Sequence, residues 1–182
     1  MTWPRGRIPR PLNESAAAGD ADAMTRARRH SIIALAILFA YYAIDRWFPL
    51  GAWNNAYGFL VDNDQAILDV IVLAAIAATY AGVRAGWWPV IGVGVLLLGV
   101  WCYFHWTTWW APYAFGIDTP GEIRWHEQFE AGLQLLPRTG NHIPPDAEHI
   151  GIDVCLLPAT VLALRALVTR LRRPRDRPST RP

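Results

Sequence analysis

The sequence predicts an all-α integral membrane protein, a four-helix bundle with an interfacial amphipathic helix between spans 3 and 4. Three observations lead there. Of the 182 residues, 53% are hydrophobic and 18% charged, with a mean hydropathy of +0.15, whereas soluble domains carry roughly 25% charge. Four stretches are apolar over the roughly 20 residues that a bilayer helix requires. All 17 basic residues are Arg, and they are sorted to one side of those stretches. Disorder is excluded for the middle of the chain, and two Cys make no disulfide scaffold.

Span 1, residues 31–48, ends its uncharged run at Asp45-Arg46. A signal peptide would have a shorter leader and a small-residue cleavage site after its apolar core; this stretch has neither and reads as an anchor. Span 2, residues 65–83, is broken only by Asp69. Span 3, residues 87–106, is uncharged up to His105, and its Gly92, Gly94 and Gly99 offer small faces for close helix packing. Span 4, residues 148–167, carries Pro158, which frees the Val154 carbonyl and predicts a kink near Asp153. Continuous apolar runs of this length call for helices, because hydrocarbon satisfies no backbone hydrogen bond.

Arginine sets the orientation. Six Arg precede span 1, six follow span 4, and Arg84 lies in the turn between spans 2 and 3, against Arg46, Arg124 and Arg138 on the other side. Positive charge is retained in the cytoplasm, so both termini are expected there and the chain is expected in a bacterial inner membrane, with the bilayer as its first partner. Residues 1–30 and 172–182 read as disordered basic tails, poor in apolar surface to bury. Trp87 and Trp88 at one interface, and Trp47, Trp53, Trp106, Trp109 and Trp110 at the other, form an aromatic belt. The basic runs flank spans and the formal net charge is only +2, which gives no nucleic-acid signature.

The extracytoplasmic segment 107–147 is too long for a mere connector. Thr119-Pro120-Gly121-Glu122 reads as a capped helix start, and Trp125, Phe129, Leu133 and Leu136 continue it as an apolar stripe. This is the expected interfacial helix. Leu136-Pro137 stops it, and Asp146 and Glu148 then suit the positive first turn of span 4.

Depth along the spans brings Asp45, Asp69, His105, Asp146, His149 and Asp153, from four helices, toward one level at the outer end. In one reading they open into a polar pocket for an ion or ligand, with Asp69, His105, Trp109, Tyr113 and Asn141 lining it. His126, His149 and Asp153 are then candidate ligands for a divalent metal (Zn, Mn or Fe), with Glu130 as the catalytic group that activates water. Such a site would make the chain a membrane-embedded hydrolase acting on a lipid-like substrate. In the plainer reading the same groups only complement helix dipoles or sit among water and headgroups. A third reading is an accessory subunit that meets a membrane-protein partner through the outer aromatic face. No HExxH and no Cys/His zinc spacing is present. Cys102 and Cys155 lie at similar depths, which leaves open both a disulfide and two inert thiols.

Trp109-Trp110-Ala111-Pro112-Tyr113-Ala114-Phe115-Gly116, then Leu136-Pro137, Asn141-His142-Ile143-Pro144 and His149, together resemble a pattern in small bacterial multi-span membrane proteins of no assigned function. The resemblance covers roughly residues 100–160. It implies that Pro112, Tyr113, Pro137, Asn141, Pro144 and His149 form one unit, and it supplies no activity or cofactor.

Overall fold

The computed structural model describes residues 12–54, 63–117, 122–123 and 132–172. Among these the chain is all-helical, without a strand. In chain order come α1 (Leu12–Trp47), a 3-10 turn (Gly51–Trp53), α2 (Asn63–Ala85), α3 (Trp88–His105), a π-turn (Trp106–Trp110), α4 (Ala111–Phe115) and α5 (Ala147–Leu171). Four helical stretches are long and apolar enough to cross a membrane: Asp22–Trp47, Ala66–Ala85, Trp88–Phe115 and Ala147–Leu171.

Three expectations change. Residues 12–30 are helical and continuous with span 1, not a disordered tail. The stretch is rich in Ala, the best helix former, and the span already supplies the costly nucleus. Ala27 and Ser31 are buried, and the Arg28 guanidinium donates to the Arg84 carbonyl. Residues 1–11 and 173–182 lie outside the described residues.

Second, the helix of span 3 does not stop near residue 106. It widens into the π-turn, where the Ala111 amide donates to the Trp106 carbonyl five residues back, and continues to Phe115. Pro112 has no amide hydrogen to give the ladder, and the wide turn lies just before it. Gly116, at φ +81°, then ends the helix, a conformation that favours glycine.

Third, the interfacial helix does not extend over Leu133 and Leu136. Residues 132–136 are irregular, because the Leu133 amide donates to Ala52 and its carbonyl accepts from the Ala147 amide. These outward bonds replace a helical ladder. Most of the remainder, including Trp125 and Phe129, lies outside the described residues.

α1 packs against α2 and α5, and α3 packs against the same two helices. Leu38 of α1, Ile76 of α2, Leu98 of α3 and Leu156 of α5 meet in the core. Gly94 of α3 lets α2 approach closely, since a side chain there would run into Thr79 of α2. Gly92 and Gly99 face open space. Both cysteines are free thiols, and Cys102 Sγ lies 3.5 Å from Thr160 Oγ1.

Candidate functional site

Where α1 ends and α5 begins, side chains from four helices form a buried polar cluster. Tyr42 and Arg46 are four residues apart and share a face of α1. The Arg46 guanidinium lies 2.8 Å from the Glu148 carboxylate of α5 and 3.8 Å from Asp69 of α2. The Tyr42 hydroxyl donates to Asp69 at 2.8 Å. Tyr41, one residue earlier, donates to the Glu148 carbonyl at 3.3 Å and accepts from Trp53 Nε1 at 3.1 Å. It fits there because Gly151 of α5 has no side chain to occupy the same space.

Asp146 caps α5, accepting from the His149 amide at 3.0 Å, and the same oxygen lies 2.6 Å from His149 Nδ1. One carboxylate thereby satisfies an orphan helix donor and orients an imidazole. The Trp109 ring covers that imidazole, with centroids 3.6 Å apart. A turn further along, Asp153 Oδ1 lies 2.9 Å from His105 Nδ1, while Asp153 Oδ2 accepts from Trp110 Nε1 at 2.7 Å. The two imidazoles are 5.8 Å apart. Trp101 joins the halves, meeting Tyr42 edge-on at 5.2 Å and His105 at 5.7 Å.

Asp45 is the odd member. It is 1% exposed, and neither carboxyl oxygen has a hydrogen-bond partner among the described residues. Asn54 holds the Asp45 and Phe48 backbone carbonyls, so the end of α1 is fixed.

Beside the cluster, an apolar groove of about 810 Å³ runs between α3 with its π-turn and α5. Tyr103, Trp106, Val154, Leu157 and Pro158 form its walls, and Asp153 is the charged residue among its lining.

Of the residues singled out from the sequence, Asp69, His105, Trp109, His149 and Asp153 come to this cluster. Tyr113 and Asn141 are placed in a loop clamp. The Tyr113 carbonyl lies 3.0 Å from His142 Nδ1, and Asn141 bonds Ile117 through both its carbonyl and its side-chain amide. His126 and Glu130 lie outside the described residues. His149 and Asp153 are each engaged with a partner of the opposite kind. No group of three or more His, Cys, Asp or Glu among the described residues is placed to hold a metal.

Arg46, Glu148 and Tyr42 belong to the cluster and were not singled out as site residues, and Asp45 was placed at this level by depth alone. The signal available was the adjacent Asp45-Arg46 at the end of an apolar run, with Tyr42 one turn before. Comparison with protein-family models, curated proteins and solved structures finds no match to this chain, so the site is read from its own chemistry.

Proposed function

We propose that this chain is a multi-pass inner-membrane protein of bacteria, a four-helix bundle with cytoplasmic termini, whose polar cluster faces outward and binds a cationic ligand. Burial supports the membrane placement. Ile37, Leu68, Leu96 and Val154 are exposed while Asp69, Glu148 and Asp146 are buried. That is the reverse of a soluble domain, and large exposed apolar surfaces mark a membrane or partner contact.

The observation that carries the ligand is charge. Five carboxylates (Asp45, Asp69, Asp146, Glu148 and Asp153) gather around one arginine and two histidines. Even with both imidazoles protonated, the cluster is short of positive charge. Intramembrane carboxylates are expensive and mark ion or proton sites by default.

The test is titration of the purified chain in phosphatidylcholine nanodiscs with sodium, calcium and zinc, read by calorimetry and thermal unfolding. The expected result is saturable stabilisation by at least one cation, lost in Asp69→Asn. A flat response to all three would overturn this reading.

A second reading is a metal-dependent hydrolase for a lipid-like substrate. The groove favours it, since an apolar wall with Asp153 in its lining suits an acyl chain beside a polar group. Elemental analysis of wild type beside His149→Ala decides it. About one equivalent of Zn, Mn or Fe, lost in the variant, is the result this reading requires.

A further inference from the structure

The cluster answers four of its five carboxylates with a donor. Asp69 accepts from Tyr42, Glu148 meets Arg46, Asp146 accepts from the His149 amide, and Asp153 accepts from Trp110. Among the described residues, Asp45 is the one carboxylate of the cluster with no donor at either oxygen, although it is buried to 1% exposure. The charges that act on it are Glu148 and Asp146 of α5 and its own neighbour Arg46. Arg46 meets Glu148 through Nη2 at 2.8 Å and lies 3.8 Å from Asp69, and its Nε has no hydrogen-bond partner among the described residues. The other titratable groups of the cluster, Tyr41 and Tyr42 of α1, Asp69 of α2 and His149 of α5, have the partners described above.

An ionised carboxylate can only accept hydrogen bonds, and Glu148 across from Asp45 can only accept as well. A bare carboxylate in such a place is strongly disfavoured. Between these two carboxylates there is no hydrogen to share. A protonated carboxyl has an O–H to donate.

We propose that Asp45 is a proton-binding site, holding its carboxyl as the neutral acid with the O–H directed to Glu148. This rests on the membrane placement and the anionic excess argued above, and it names the cation held at Asp45 as H⁺. The proton exchanges with water at the polar end of the helices, and no other bond forms or breaks. Its loss sets a second negative charge against Glu148 and leaves Arg46 to serve three carboxylates. The contact between α1 and α5 is therefore the element whose equilibrium the proton biases.

The experiment is infrared difference spectroscopy of the full chain in phosphatidylcholine nanodiscs, scanned from acid to alkaline pH. The expected result is a protonated-carboxyl C=O band at neutral pH. Isotope labelling of the aspartate carboxyls shifts it, and Asp45→Asn abolishes it while leaving the amide bands unchanged. Asn is nearly isosteric with the neutral acid and brings its own donors. Absence of the band, a band indifferent to the aspartate label, or one that survives in Asp45→Asn would each overturn the proposal. If Asp45→Asn does not fold, Glu148→Gln replaces it. The labelled band must then move in frequency as its acceptor changes, and a stationary band overturns the proposal. The two readings fail separately. Sodium, calcium or zinc binding without the band removes the proton site and keeps the wider pocket. The band with no response to those cations does the reverse.

Discussion

Arg46 of α1 lies 2.8 Å from Glu148 of α5, and this pair ties the end of one helix to the first turn of another. Arg46→Met keeps much of the volume but leaves Glu148 and Asp69 without their cation. Breaking a buried pair from one side costs about 3–5 kcal/mol. Thermal unfolding of the variant should show a loss of that order, and the double variant Arg46→Met/Glu148→Gln should recover part of it. Additive losses would mean that the two side chains do not interact.

Asp146 has two tasks, capping α5 and orienting His149. Asn is as good a cap as Asp, whereas Ala costs about 1 kcal/mol. Asp146→Asn should therefore keep the stability that Asp146→Ala loses. Both should change the nitrogen chemical shift of His149 Nδ1, measured by NMR on histidine-labelled protein, because both remove the carboxylate.

Two glycines of α3 should respond in opposite directions. At Gly94 a methyl group meets Thr79 of α2, while at Gly99 it meets nothing. Gly94→Ala should lose about 1–3 kcal/mol through overpacking, and Gly99→Ala should gain about 0.5–1 kcal/mol through helix propensity. Equal responses in unfolding experiments would contradict the helix contact described here.

The proposed orientation is open to cysteine labelling. In a background with Cys102→Ala and Cys155→Ala, Thr139→Cys should react with an impermeant maleimide on intact spheroplasts. Arg172→Cys should react only after the membrane is opened. The opposite pattern would place the polar cluster on the cytoplasmic side.

The four apolar helices were legible because hydropathy over some 20 residues is a strong signal. Depth was legible too, which is why Asp69, His105, His149 and Asp153 could be singled out together. Azimuth was not. Hydropathy says how far along a helix Arg46 lies, but not that it turns toward Glu148 and Asp69. Arg46 therefore reads from the sequence as a charge on the less basic side, not as the hub of a cluster. Glu148 reads as a dipole-complementing residue for the same reason. The helical 12–30 stretch was missed because composition measures what a segment can bury by itself, whereas this one extends a helix already formed. Tyr113 and Asn141 show the converse: the clamp around Gly116 sets the Tyr113 carbonyl against the His142 imidazole and Asn141 against Ile117, and the backbone atoms in these contacts leave no trace in a pattern of side-chain chemistry.

The π-turn at Trp106–Trp110 acts as a one-residue offset in the angular count of its helix. Each α-helical residue advances about 100° around the axis, so side chains before the turn and after it answer to different face registers. His105 and Trp101 are set by the first register, and the Ala111–Phe115 stretch by the second. Deleting Thr108 would close the wide turn into ordinary α-helix and leave the face of the Ala111–Phe115 stretch nearly where it is, because the turn already absorbs one extra residue; the same deletion a turn earlier, within the regular helix, would instead carry that face round by about one such step.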